Sequence, residues 1–162
     1  MVHEHGGPGS SEDDAAAICM AIVRTAHLVD RFANGRLQAF GVPAGMSMPR
    51  VRLLLAVHAA GRPRMSEVAW DLGVTARTIT TMVDALEDEG VLVRQPHARD
   101  RRAILLELTP HGAAQVETIQ RALASIGDVV LAPLSPAQRV ELSRLLTALI
   151  ERDDAATQGA SE

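Results

Sequence analysis

Residues 66–102 read SEVAWDLGVTARTITTMVDALEDEGVLVRQPHARDRR. Two short helical patterns meet there at a glycine. Ser66 is a good N-cap, and Glu67 puts a negative charge in the first turn, where it suits the helix dipole. Val68, Ala69 and Leu72 share one face. Gly73 supplies the left-handed backbone that ends a helix at low cost. Thr75 is placed to cap the second helix, whose inward stripe is Ile79, Met82, Val83 and Leu86. Ala69 is small, as a steep crossing of two helices through a short turn demands. The pattern is that of a helix-turn-helix.

The second helix has an outward face of Arg77, Thr78, Thr81 and Asp84, led by Thr75 and Ala76. Arginine can grip O6 and N7 of guanine, and threonine hydroxyls reach bases or phosphates. A threonine methyl, or Ala76, can touch a thymine methyl. An ordinary helical hairpin with a solvated face would share these residues, so the next segment decides. Glu87 to Gly90 close the helix. Val91–Gln95 reads as a strand, Pro96–Arg102 as a loop and Ala103–Leu108 as the returning strand. The loop is too long for a tight hairpin, and Arg99, Arg101 and Arg102 gather on it. Arginine gains from the enhanced negative potential of a narrow minor groove. The expectation is a winged helix-turn-helix on duplex DNA. Thr75, Ala76, Arg77, Thr78 and Thr81 serve the major groove, Arg102 inserts in the minor groove, and Arg99 and Arg101 hold phosphates. Asp100 is expected to pin a wing arginine. Arg62-Pro63-Arg64-Met65 reads as a link with a possible third strand, and Arg64 as a further phosphate contact.

This stretch resembles the MarR family of bacterial transcription regulators. The residues that carry the resemblance are Ser66-Glu67-Val68-Ala69, Leu72-Gly73-Val74, Thr75 to Leu86, Glu89 to Arg94, Asp100-Arg101-Arg102 and Leu108-Thr109-Pro110-His111-Gly112. The Asp-x-Arg of the wing followed by Leu-Thr-x-x-Gly is its most specific part. The resemblance implies a homodimer on a pseudo-palindromic operator, acting as a repressor released by a small molecule or an oxidant.

Composition agrees with a single small domain: 162 residues, 47% apolar. With 2% aromatics and no tyrosine, stacking on single-stranded nucleic acid is disfavoured. The net charge of −4 looks wrong for a DNA reader, but the acids concentrate at the ends. Residues 15–150 hold 15 arginines against 12 acids, and local charge governs DNA contact. There is no lysine, so every basic side chain is a planar, permanently charged guanidinium. One cysteine fits a reducing cytoplasm, and neither a signal peptide nor a membrane span is read.

The flanks divide as follows. Residues 1–12 form a disordered, glycine- and serine-rich tail, whose His3 and His5 make no credible metal site. A single domain covers 13–152, and 153–162 form an acidic disordered tail. The first helix runs from about Asp13 to Ala39 with a stripe of Ile18, Ile22, Thr25, Val29 and Phe32. At roughly 40 Å it is longer than so small a lobe needs. A second helix from Met48 to about Gly61 supports the DNA-binding lobe, residues 48–108. Thr109 caps a fifth helix with the seam Val116, Ile119, Leu123, Ile126 and Val130. Ser135-Pro136-Ala137-Gln138 opens a sixth, striped by Leu142, Leu145, Leu146, Leu149 and Ile150. The fold class is therefore mainly α with a small β-wing. A winged helix-turn-helix lobe joins a helical dimerisation lobe built from helices 1, 5 and 6 (residues 13–47 and 109–152).

No nucleophile elbow, paired nucleophile and base, or phosphate-cradling glycine loop is found, so no enzyme and no cofactor is expected. Two switches are expected candidates. Cys19 stands where peroxide sensors of the resembled family carry a reactive cysteine, but their thiolate partners are tyrosines, which this chain lacks. A pocket lined by His27, Arg31, Met46, Met48 and Arg50 would suit a small aromatic carboxylate or phenol. A winged helix that binds protein in place of DNA is the reading of another class, and a flat salt dependence would mark it.

Overall fold

The structure, a computed structural model, describes residues 10–100 and 102–158. Arg101 and residues 1–9 and 159–162, which include most of the expected N-terminal tail and the end of the C-terminal one, lie outside the described residues. Six helices and one antiparallel pair of strands follow in the order α1 (Ser10–Arg36), α2 (Met48–Ala60), α3 (Met65–Asp71), α4 (Ala76–Asp88), β1 (Leu92–Pro96), β2 (Ile104–Leu108), α5 (Pro110–Val130) and α6 (Pro136–Gln158). The chain divides into two units, Met1–Ile126 and Gly127–Glu162.

In the first unit, α1 begins three residues earlier than its sequence pattern suggested. Asp13 and Asp14 fall near its start, where carboxylates favour a helix. It stops at Arg36, and Leu37–Phe40 tighten into a 3-10 turn, closed by Gly41 at φ +87°. Side chains 13–28 of α1 are all exposed, Ile18, Met20, Ile22, Val23 and Leu28 among them.

The core lies under the helix-turn-helix. Val51, Leu53, Leu54 and Val57 of α2 are fully buried and packed toward β2 and α3. Val68 and Ala69 of α3 meet Ile79, Val83 and Leu86 of α4, all buried. Gly73 takes φ +63° in the turn between them, as a left-handed helix stop requires.

The start of α3 corrects the sequence reading. Ser66 is not the N-cap: the helix starts at Met65 with Arg64 ahead of it. The carboxylate of Glu67 accepts from the Arg64 N–H at 2.8 Å. The cause is tertiary. Arg64 forms an isolated bridge with Leu105, and the Leu106 N–H donates to the Pro63 carbonyl at 2.9 Å. The winged sheet thus fixes where the helix begins. The possible third strand reduces to that single bridge.

β1 and β2 pair from Leu92 opposite Leu108 to Pro96 opposite Ile104, so that β1 lies one residue later than expected and β2 starts one residue later and ends at Leu108 as expected. Leu92 and Leu106 point into the core, fully buried. Thr109 makes the joint into α5. Its hydroxyl donates to the Gly90 carbonyl at 2.7 Å and accepts from the Gly112 N–H at 3.0 Å. α5 buries Gly112, Val116, Ile119, Ala122 and Ile126 at three- and four-residue spacing.

In the second unit, Ser135 and Gln138 form a reciprocal capping box at the start of α6. The Ser135 N–H donates to Gln138 Oε1 at 2.8 Å, and the Gln138 N–H to Ser135 Oγ at 3.3 Å. The helix continues to Gln158, into the segment read as a disordered tail from residue 153. No glycine or proline interrupts the sequence between Pro136 and Gly159, and extending an existing helix costs far less than starting one. Val140, Leu145, Leu146, Leu149 and Ile150 of α6 are exposed. Among the described residues no helix is long and apolar enough to cross a membrane.

Candidate nucleic-acid interface

The face opposite the buried stripe of α4 begins with a built N-terminus. Thr75 caps the helix, its hydroxyl accepting from the Thr78 N–H at 3.2 Å. The Thr75 and Thr78 hydroxyls share a hydrogen bond of 2.9 Å. The Thr81 hydroxyl donates to the Arg77 carbonyl at 3.1 Å, leaving its methyl and an oxygen lone pair to face outward. Thr75, Ala76, Arg77, Thr78 and Thr81 are all exposed. Arg77 enters none of the ion pairs among the described residues. Free N–H groups and the positive end of the dipole at a helix N-terminus suit an anion such as a phosphate. The second half of the same helix carries Asp84 and Asp88, so its outward face changes sign along its length.

The loop after β1 is closed by its own side chains. His97 Nδ1 accepts from the N–H groups of Arg99 at 3.3 Å and Asp100 at 3.1 Å. Accepting at that nitrogen leaves the proton on Nε2. Asp100 Oδ1 accepts from the Arg102 N–H at 3.1 Å, and its Oδ2 faces Arg64 Nη1 at 3.4 Å. Asp100 therefore holds Arg102 by its main chain and Arg64 by its side chain, and so pins no wing guanidinium among the described residues. Arg64 is half-exposed and shared between Asp100 and Glu67, so it presents less free charge than the sequence suggested. Arg99 and Arg102 are exposed, and neither guanidinium is in an ion pair among the described residues. The expected contact Arg101 lies outside the described residues.

Between α4 and this loop stands Arg94 of β1, which the sequence reading left as a strand residue. Its guanidinium, 22% exposed, pairs through Nη1 with Glu87 and through Nη2 with Asp84 at 2.5 Å. Nη2 also faces the Thr80 carbonyl at 3.4 Å, and the Arg94 N–H donates to Glu87 Oε1 at 3.1 Å. Burial works against the charge, but the hydrogen bonds to Asp84 and Glu87 outweigh it and hold the guanidinium above its ordinary pKa. Two carboxylates on one flank of α4 were the available sequence signal for this cation.

The expected effector residues do not gather in one place. His27 and Arg31 line an open groove of about 510 Å³ along α1, with Val23, Arg24, Thr25 and Leu28. Met46 and Met48 are buried and do not line it. Arg50 is spent elsewhere. It bonds the Gly45 carbonyl at 3.0 Å and Glu89 at 2.7 Å, bracing α2 against the end of α4. Cys19 is exposed on α1. Trp70, the single tryptophan, is 71% exposed on α3. Among the described residues no cluster of three potential metal ligands occurs.

Residues 46–104 match the model of the MarR family. The HTH-type transcriptional repressor YetL of Bacillus subtilis (strain 168) is 29% identical over 128 residues, 78% of this chain and 72% of that protein. A MarR transcriptional regulator from Methanosarcina mazei Go1 superposes with a TM-score of 0.76 at 18% identity, covering 87% of this chain and 99% of that one. A mutant MarR from E. coli complexed with operator DNA superposes with a TM-score of 0.70 at 21% identity, over 87% and 99% of the two chains. At these identities the two structures speak for the fold.

Proposed function

From the match of residues 46–104 to the MarR family and the likeness to YetL, we propose that this chain is a transcriptional regulator of that family, working in the bacterial cytoplasm as a homodimeric repressor on a pseudo-palindromic operator, released by a small aromatic or phenolic ligand. The observation that carries the DNA reading is the pairing of two surfaces. An exposed Arg77, Thr78 and Thr81 face stands at a capped helix N-terminus, and a loop presenting Arg99 and Arg102 follows on the adjoining ribbon. In a dimer, two copies of α4 would enter successive major grooves about 34–36 Å apart. Each wing would reach the neighbouring minor groove, and Arg101 would join Arg99 on phosphates.

Dimerisation is supported by what the single chain leaves uncovered. Ile18, Ile22 and Val23 of α1 are exposed, and so are Leu145, Leu149 and Ile150 of α6. Burying each such side chain gains about 1.5–3 kcal/mol, and exposed apolar runs of this extent are uncommon on monomers. The α1 groove sets the guanidinium groups of Arg24 and Arg31 and the His27 imidazole beside the apolar Val23 and Leu28, which suits an acidic aromatic ligand. Oxidation at Cys19 is the competing release mechanism, and its exposure on α1 gives peroxide access.

The test is fluorescence anisotropy on DNA upstream of the chain's own coding sequence, against random duplex, at two salt concentrations. A preference of ~10³ or more with a steep salt slope is expected. Weak, equal and salt-insensitive binding would overturn the DNA reading in favour of a winged helix that binds protein. Phenolic ligands and peroxide are then added separately, and the agent that dissociates the complex identifies the switch.

A further inference from the structure

A two-stranded ribbon is marginally stable by itself, so its tip holds a fixed position only if something else fixes the ribbon. Here β1 is tied to α4 by one residue. The Arg94 guanidinium and main-chain N–H reach Thr80, Asp84 and Glu87, which lie at i, i+4 and i+7 along one flank of α4. Opposite Arg94 in the ladder is Leu106, fully buried. Ladder partners share a face, so the Arg94 pairing and the buried Leu106 fix the ribbon through that one face, and three residues beyond Arg94 the chain reaches His97 and the closed tip that carries Arg99 and Arg102.

We propose that Arg94 is a positioning residue that locks the wing to α4, so that helix and tip engage DNA as one rigid unit. This rests on the DNA reading above. A tip already placed when the helix docks binds as an intramolecular event, whereas a loose tip must be ordered each time. The pairing has a second effect. Asp84 lies on the same outward face as Arg77 and Thr81, and an unpaired carboxylate there would repel phosphates. Arg94 neutralises it without itself being free for DNA.

The experiment is a double-mutant cycle read by anisotropy on the operator and on random duplex. Arg94→Ala is expected to weaken operator binding roughly tenfold or more. It should flatten the salt slope by about one unit or more, because wing contacts are lost. In a chain already carrying Arg99→Ala, Arg101→Ala and Arg102→Ala, the same substitution should cost only about two- to threefold, the share left to repulsion by Asp84 once no wing cation remains to place. An undiminished loss in that background would overturn the proposal, because Arg94 would then be acting through general stability or by touching phosphate itself. A second variant opposes geometry to charge. Asp84→Ala with Glu87→Ala removes two negative charges and frees Arg94. Simple attraction predicts tighter binding to both DNAs, whereas the lock predicts weaker operator binding with random binding equal or tighter. Parallel tightening on both would overturn the proposal. Should Arg94→Ala fail to fold by circular dichroism, Arg94→Lys, which keeps one charge and loses the fork, takes its place in the cycle. If the unmodified chain shows no operator preference, the regulator reading falls first and takes this one with it.

Discussion

The carbonyl oxygen of Val91 lies 2.0 Å from the point where a Cβ on Gly112 would stand. The helix start and the beginning of the β-ribbon are pressed together there with room for a hydrogen and nothing larger. Thr109 draws them together by bonding the Gly90 carbonyl and the Gly112 N–H at once. The Leu-Thr-x-x-Gly motif thus marks the joint where the ribbon hands over to α5.

Gly112→Ala forces main chain against side chain, and no flexible group can yield. The expected cost is about 1–3 kcal/mol or more, seen as an earlier urea midpoint. An unchanged midpoint would mean that α5 slides freely on Val91.

Thr109→Val keeps the shape and deletes the hydroxyl. It should lose about 1 kcal/mol, typical of a lost cap, while Thr109→Ser should retain most of the stability. A stable Thr109→Val beside a destabilised Thr109→Ser would show that the methyl group, and not the hydroxyl, holds the joint.

Arg77→Ala removes an exposed cation at the start of α4 that enters no ion pair among the described residues. Operator affinity should fall by about 1–3 kcal/mol with relaxed sequence preference. Equal losses on operator and random duplex would reassign Arg77 to a phosphate.

His97→Ala leaves the Arg99 and Asp100 N–H groups without their acceptor. Those two amides should exchange with solvent faster, and operator affinity should drop by about 1 kcal/mol. His97→Asn should recover part of both effects, because an asparagine oxygen can bond the N–H two residues on. Unaltered exchange in the alanine variant would show that the tip is held by Asp100 alone.

Ile18→Glu or Leu149→Glu puts a charge on the uncovered faces of α1 or α6. Each should shift sedimentation toward the monomer mass, since about 1.5–3 kcal/mol of burial per side chain is lost in both subunits. Monomer mass for the unmodified chain would overturn the dimer reading directly.

The sequence made local features legible and long-range ones opaque. Thr75, Gly73, Gly90 and the Ser135–Gln138 box act within a few residues of themselves, and the structure has them where the pattern indicates. Ser66 misled because a helix start depends on how the chain arrives, and Pro63 and Arg64 are held by β2 some forty residues later. Arg50 and Glu89 are 39 residues apart, and nothing in either neighbourhood names the other. Arg50 therefore passed for a ligand-binding cation when it braces two helices. His27 and Arg31 share a groove because they are one helical turn apart, a relation that periodicity does reveal. Arg94 is the intermediate case: its carboxylates sit at i, i+3 on α4, but their partner could be identified only after β1 was seen beside that flank.

The exposed Trp70 gives the chain an optical address. With no tyrosine and one tryptophan, its near-ultraviolet emission comes from a single ring on the outer face of α3. Titrations with DNA, effector or oxidant can therefore be followed without any attached dye. A blue shift or a quench then has one meaning, that something has come to cover or displace that indole.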